Sequence, residues 1–98
     1  SSDRVVRYGG DELVILLPHT DNESALNFAE QIRKGVEEMP LPRSCSDAPE
    51  RLTVSLGINT VIPSDETSID EFIRNTDKAL YIAKEKRNCS VSAGRMYT

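Results

Sequence analysis

The sequence predicts one α+β domain in which a β-sheet packs against helices, and three patterns support it. Two β-prone runs flank the pair Gly9-Gly10. Residues 52–58 alternate between apolar and polar side chains, and two longer stretches have the three-and-four spacing of amphipathic helices. The predicted order is β-β-α-β-α-β, which is typical of a sheet with helices on one or both of its faces.

The glycine pair predicts a β-hairpin near the start of the chain. A short apolar run beginning with Val5 and Val6 leads to the pair, and the apolar run of residues 13–17 follows it. Two β-prone runs joined through two glycines are typical of a hairpin with a tight turn. Because residues 13–17 are all apolar, the second strand is expected to be buried on both faces.

A first helix is predicted over residues 23–38. Asp21 and its neighbours supply candidate capping residues, and prolines at the start of the loop 40–51 end the helix. One apolar face is formed by Ala25, Ala29, Ile32, Val36 and Met39. This spacing predicts an amphipathic helix that lies on the core.

The second half of the chain predicts a strand, a helix and a last short strand. Residues 52–58 form the strand, and Gly57 within it indicates a bulge or the close approach of another backbone. Ser68 is the candidate cap of the second helix, whose end is basic at Lys84, Lys86 and Arg87. Residues 88–91 are the candidate final strand.

The composition limits the possible functions. The chain has 98 residues and a formal net charge of −4, so it is not expected to bind nucleic acid, which requires a basic face. An acidic site can still bind a triphosphate when a divalent metal lies between them. Cys45 and Cys89 are expected to be free thiols in a reducing cytoplasm, and no membrane segment or signal peptide is predicted.

The hairpin carries the residues with the clearest chemical logic. Gly9 and Gly10 have no side chains, so backbone N–H groups can approach a phosphate closely. Asp11 or Glu12 could hold a metal ion that neutralises triphosphate charge, as in nucleotidyl transfer. Taken alone, the four residues favour an ordinary turn with two solvated acids, because short motifs recur by chance. The flanking residues decide between the two interpretations.

Those flanking residues resemble the signature of the GGDEF-domain diguanylate cyclases. The signature covers residues 7–13, Arg-Tyr-Gly-Gly-Asp-Glu-Leu, with Leu13 in place of the family's usual Phe, followed by Leu-Leu-Pro at 16–18. Residues 53–58 resemble the family's strand after its long helix. Residues 77–84 resemble its penultimate helix, with Arg87-Asn88 beyond it. These four ordered matches cover essentially the whole chain.

The resemblance implies a fold related to nucleotidyl-cyclase and polymerase palm domains, with an antiparallel-rich sheet and flanking helices. It also implies condensation of two GTP molecules into cyclic di-GMP, with release of pyrophosphate, in bacterial second-messenger signalling. Each protomer would present one GTP, so the reaction would need a homodimer. Mg²⁺ or Mn²⁺ is the cofactor that the resemblance implies.

The resemblance further implies roles for the residues of the hairpin. Gly9 and Gly10 would lie against the phosphates or ribose of GTP. Asp11 would bind metal, and Glu12 would act in catalysis or as a second metal carboxylate.

Lys84 and Arg87 would contact the terminal phosphates, although their segment departs from the family. The family has Lys, two spacer residues, Gly and then Arg-Asn, whereas residues 84–88 are one residue shorter and lack the Gly. Arg87 could reach the phosphates by a different turn, Lys86 could substitute, or the contact could be weakened. This cluster is equally typical of a solvated basic helix end, which the helix dipole favours.

Other family features have no counterpart in this sequence. They are an N-terminal strand with another metal-binding Asp, and the residues that read guanine. Because no initiating Met precedes Ser1, residues 1–98 are interpreted as a partial GGDEF domain without its N-terminal strand and helices, inactive as a cyclase by itself. Asp3 matches the Asp of the family's Arg-x-x-Asp product-inhibition site, whose Arg would precede Ser1. Asp3 is also consistent with a solvated residue at a strand start.

Three function classes therefore remain open. Asp11 and Glu12 are both present, which favours an active diguanylate cyclase. The shortened segment 84–88 favours a degenerate module that binds GTP or cyclic di-GMP and regulates an attached domain. The third class is a structural or dimerisation domain that binds no ligand.

Overall fold

The structure is a computed structural model that describes residues 4–9, 11–39 and 52–93. The described elements are β1 (Arg4–Gly9), β2 (Glu12–Leu16), α1 (Asn22–Glu37), β3 (Leu56–Ile58), α2 (Ile69–Lys86) and β4 (Ser90–Ser92). This is the predicted order, and the α+β class is confirmed. Within the described ranges, neither helix is long and apolar enough to cross a membrane.

The predicted hairpin is confirmed, with one irregular position. β1 and β2 pair antiparallel from Arg4 opposite Leu16 to Gly9 opposite Glu12, and the register shifts between Arg7 and Gly9. Asp11 lies in the turn between the two strands. Glu12 therefore begins β2, whereas Asp11 precedes it.

The expectation that β2 is buried on both faces is wrong. Leu13 is 65% exposed and Leu16 is 48% exposed. Among the described strands β2 pairs with β1 alone, and a two-stranded ribbon cannot enclose its own two faces. A run of apolar residues shows that the side chains are hydrophobic. It does not show that another element of the structure covers them.

Local capping defines both helices, as predicted. The Asp21 carboxylate accepts a hydrogen bond of 2.7 Å from the Ser24 backbone N–H, and that bond lowers the pKa of Asp21. At the second helix, the Ser68 hydroxyl accepts from the Glu71 backbone N–H at 3.2 Å. Satisfied N–H groups at the first turn set where each helix begins.

β3 and β4 form a second, parallel pair. The register runs from Leu56 opposite Ser90 to Ile58 opposite Ser92, so β3 is shorter than the predicted strand 52–58 because β4 pairs with three residues only. Gly57 lies against α2: a Cβ there would lie 2.7 Å from the Leu80 Cα. The predicted close approach of another backbone is confirmed.

The core consists of small and medium side chains. Ile58 of β3 packs with Ala25 and Ala29 of α1, and three leucines flank them: Leu17, Leu26 and Leu56. Ala79 and Ala83 of α2 are fully buried. Short side chains let α2 lie close to the sheet, which fixes the position of its C-terminal end.

Candidate functional site

Two of the predicted site residues meet across the fold. The Lys84 Nζ donates a hydrogen bond of 2.8 Å to the Glu12 Oε2, although the residues are 72 positions apart. Glu12 is the first residue of β2, and Lys84 lies in the last turn of α2. This contact brings the start of β2 next to the end of α2.

Negative charge surrounds the Lys84 ammonium. The hydrogen bond to Glu12 raises the pKa of Lys84, and the charges of Glu12, Asp11 and Asp77 add to the effect. The side chains of Lys84 and Glu12 are 50% and 37% exposed, so both remain accessible to an incoming ligand. The Lys84 ammonium therefore lies beside an acidic turn.

Gly9 provides open space beside this ion pair. It is the last residue of β1, pairs with Glu12, and a Cβ added there would meet no atom within 4 Å. The space beside the Gly9 Cα is therefore open. Gly10 and Asp3, two other predicted site residues, lie outside the described residues.

Arg87 is exposed and ends α2 in an uncommon backbone conformation. Its φ is 64° and its ψ is 147°, and its N–H donates to the Ala83 carbonyl at 2.7 Å. This region of backbone space is populated almost entirely by glycine. The residue that follows, Asn88, also has a positive φ, of 48°. The left-handed turn is therefore made without the glycine that the resembling family has in this segment.

A side-chain network at this turn could not be inferred from any motif. The Arg33 guanidinium donates to the Glu30 carboxylate at 2.9 and 2.8 Å and to the Asn88 Oδ1 at 3.0 Å. The Asn88 amide in turn donates to the Glu37 Oε2 at 2.6 Å. The signal in the sequence is weak: one arginine with an acid three residues before it and another four residues after it.

The hairpin carboxylates fit a metal that arrives with a nucleotide. Within the described residues, no group of three or more His, Cys, Asp or Glu side chains could hold a metal ion. Mg²⁺ is usually bound through one or two carboxylates together with waters and substrate phosphates. Asp11 and Glu12 are consecutive residues whose carboxylate oxygens are donors of that kind. Carboxylate oxygens are the donor type that Mg²⁺ and Mn²⁺ prefer, and the described residues contain no closed protein cage for such an ion.

Comparisons with known proteins show which family this chain resembles. The model of the diguanylate cyclase GGDEF domain matches residues 1–89. Diguanylate cyclase DosC of Escherichia coli (strain K12) is 37% identical over 86 residues, which are 88% of this chain and 18% of that protein. Diguanylate cyclase DgcM of the same strain is 44% identical over 82 residues, or 84% of this chain and 18% of that protein.

A solved structure is also similar. The active GGEEF domain of a diguanylate cyclase from Vibrio cholerae superposes with a TM-score of 0.78 at 29% identity, covering 95% of this chain and 57% of that chain. The family model spans most of the sequence, and the superposition spans nearly all of it. This chain belongs to the GGDEF domain family of diguanylate cyclases.

Proposed function

We propose that this chain is the phosphate-handling and metal-handling part of a diguanylate cyclase domain, which condenses two GTP molecules into cyclic di-GMP in bacterial signalling. The observation that supports it most is the ion pair of 2.8 Å between Glu12 and Lys84. A carboxylate suited to metal and a lysine suited to phosphate meet at one exposed turn. Their partners during turnover would be the cation and the anion of Mg·GTP.

The chemistry is nucleotidyl transfer. In each of two equivalent steps, the 3′ hydroxyl oxygen of one GTP attacks the α-phosphorus of the other. One P–O bond forms, the bond to the leaving pyrophosphate breaks, and the hydroxyl proton passes to water. A divalent metal at Asp11 and Glu12 would neutralise triphosphate charge and stabilise the attacking oxygen. Because each protomer holds one GTP, two domains must face each other, and we expect a homodimer during catalysis.

The protein side chains have separate tasks in this proposal. Gly9 and Gly10 leave room for the phosphates or ribose beside the backbone. Lys84 leaves Glu12 and contacts the terminal phosphates, together with Arg87. An exposed ion pair contributes at most about 1 kcal/mol, so exchanging Glu12 for a phosphate partner costs little.

Two further parts of the proposal concern regulation and location. Asp3 would contribute to a site where cyclic di-GMP binds and inhibits, and Asp3→Ala should then lower affinity for the product. The reducing cytoplasm, where GTP is available, is the proposed compartment. We also expect that the 98-residue chain alone forms no cyclic di-GMP.

Calorimetry with Mg·GTP tests the core of the proposal. The full chain should bind Mg·GTP, and the isosteric variant Glu12→Gln should bind it about tenfold more weakly, because a metal carboxylate has become an amide. Glu66→Gln, an exposed loop residue, is the matched control and should bind as the unaltered chain does. Absence of Mg·GTP binding by the unaltered chain would overturn the proposal.

A second candidate is a degenerate GGDEF module that binds GTP or cyclic di-GMP and regulates an attached domain. The observation that favours it is the left-handed backbone of Arg87, with a φ of 64°, in a segment shorter than the family's. Turnover separates the two candidates. A longer protein that contains this chain should convert GTP with Mg²⁺ into cyclic di-GMP if it is a cyclase, and should bind without turnover if it is a regulator.

A further inference from the structure

Arg33 links α1 to the turn that ends α2. Its side chain is 15% exposed and is held on one side by two hydrogen bonds to Glu30. Its remaining terminal nitrogen donates to Asn88, which is 55 positions away, and lies 3.7 Å from the Glu37 carboxylate. The guanidinium therefore connects a rigid helix face with a turn of the opposite half of the chain.

Both polar atoms of the Asn88 side chain are engaged by α1. The oxygen accepts from Arg33 at 3.0 Å, and the nitrogen donates to Glu37 at 2.6 Å. An amide held at both ends has a fixed orientation, and so does the backbone that carries it. Asn88 is thus attached to α1 on one side and to Arg87 on the other.

Arg87 needs such an attachment because its backbone is strained. A residue other than glycine at φ 64° and ψ 147° is in a sterically disfavoured backbone conformation. Strain of this kind persists only where surrounding contacts determine the conformation. Asn88 tolerates its own positive φ better, since asparagine enters the left-handed region more readily than most residues. The hydrogen bonds of the Asn88 side chain therefore help to keep the turn in place, together with the bond from the Arg87 N–H to the Ala83 carbonyl.

We infer that Arg33 is a positioning residue for the triphosphate site: through Asn88 it fixes the turn that directs Arg87, and with it the last turn of α2 that carries Lys84. This inference rests on the proposed function, because it assumes that Lys84 and Arg87 contact the phosphates. It assigns to α1, which carries none of the predicted site residues, a role in ligand binding.

The geometry requires arginine at position 33 and not merely a positive charge. The planar guanidinium binds Glu30 with two donors and still directs a third at Asn88. A lysine has a single ammonium on a flexible stem and cannot hold both partners in one fixed geometry. Arg33→Lys keeps the charge and removes the link, which makes it the sharpest variant.

The test measures binding of Mg·GTP and of Mn²⁺ alone to the full chain. Arg33→Lys should bind Mg·GTP about tenfold more weakly. Its binding of Mn²⁺ alone should not change. This binding is measured from the paramagnetic broadening of the NMR signals of the Asp11 and Glu12 amides. Arg74→Lys on the exposed face of α2 is the matched control, and it should change neither quantity.

A double-mutant cycle shows whether Arg33 acts through Asn88. Asn88→Gly removes the side chain and accepts the positive φ without strain. If Arg33 acts through its hydrogen bond to Asn88, the double variant Arg33→Lys with Asn88→Gly should weaken Mg·GTP binding no more than the single variant with the larger effect does. Amide hydrogen exchange at Arg87 and Asn88 should accelerate in both single variants.

The possible outcomes separate this inference from the proposed function. No Mg·GTP binding by the unaltered chain overturns the proposed function and the inference together. Binding by the unaltered chain with the same affinity in Arg33→Lys and Arg74→Lys overturns the inference alone. So do additive effects in the cycle, or a parallel loss of Mn²⁺ binding, which would indicate a general loss of structure.

Discussion

The Lys84 ammonium lies 2.8 Å from the Oε2 atom of the Glu12 carboxylate. The side chains are 50% and 37% exposed, and a pair of this exposure contributes about 0–1 kcal/mol to folding. The ion pair is therefore relevant to the candidate site and contributes little to the free energy of unfolding. In the proposed site, an ammonium at this carboxylate would compete with a metal ion in the absence of nucleotide, and would contact the phosphates of a bound nucleotide.

Replacing Lys84 should therefore have opposite effects on two ligands. In Lys84→Met we expect Mg·GTP to bind about tenfold more weakly, because a charge-assisted phosphate contact is lost. Mn²⁺ alone should bind roughly fivefold more tightly, since about 1 kcal/mol of repulsion between neighbouring cations is removed. Calorimetry measures both affinities.

Lys34→Met is the control for this prediction. Lys34 is an exposed lysine in the last turn of α1, as Lys84 is in α2. It should change both affinities little. If Lys84→Met weakens the binding of both ligands, the ammonium supports the carboxylate geometry and does not compete with metal.

Gly57 and Gly35 should respond to alanine in opposite directions. A Cβ at Gly57 would lie 2.8 Å from the Thr76 carbonyl oxygen and closer still to the Leu80 backbone, so Gly57→Ala should destabilise by about 3 kcal/mol. A Cβ at Gly35 would meet nothing within 4 Å, and Gly35→Ala within α1 should stabilise by about 0.5–1 kcal/mol. Urea unfolding measures both. Equal effects of the two substitutions would contradict the close packing of α2 on β3.

The helices are predictable from the sequence because their signals are local. Asp21 and Ser68 cap the helices where the sequence predicts, and the observed α1 begins and ends one residue before the predicted range 23–38. A cap depends on residues three positions away, and an apolar stripe depends on one helical turn. The burial of β2 is not local. Leu13 is as apolar as a core residue but is 65% exposed. Burial depends on whether another element packs on the strand, and the residues of the strand do not determine that.

The site is predictable only in part for the same reason. Residue types and the family resemblance identify Glu12 and Lys84 separately, but their contact depends on where β3 and β4 bring the end of α2. The Arg33–Asn88 hydrogen bond joins residues 55 positions apart and follows from packing alone. The absence of glycine at the end of α2 is visible in the sequence. Only the structure shows that Arg87 is the residue that adopts the left-handed conformation.

Strain at Arg87 can be measured by comparing two truncations. Arg87→Ala and Arg87→Gly both remove the guanidinium, so both should weaken Mg·GTP binding by a similar factor. Only glycine accepts a φ of 64° without steric cost. Arg87→Gly should therefore be about 1 kcal/mol more stable than Arg87→Ala in urea unfolding. Equal stabilities would show that position 87 is unstrained in solution.

The link between α1 and the α2 turn should weaken in acid. Hydrogen bonds, chiefly from Arg33, lower the pKa of Glu30 from 4.5 to about 2. Because the folded-state pKa is depressed, the stabilisation is complete above about 4.5 and is lost as the pH falls from there through about 2. The Glu30 side chain is 35% exposed, so solvent screening limits the loss to roughly 1 kcal/mol.

Urea unfolding across this pH range tests the prediction. The free energy of unfolding should fall less in acid for Glu30→Gln than for the unaltered chain, and Glu66→Gln should behave as the unaltered chain does. An identical acid loss in all three proteins would mean that Glu30 and Arg33 do not pair in solution.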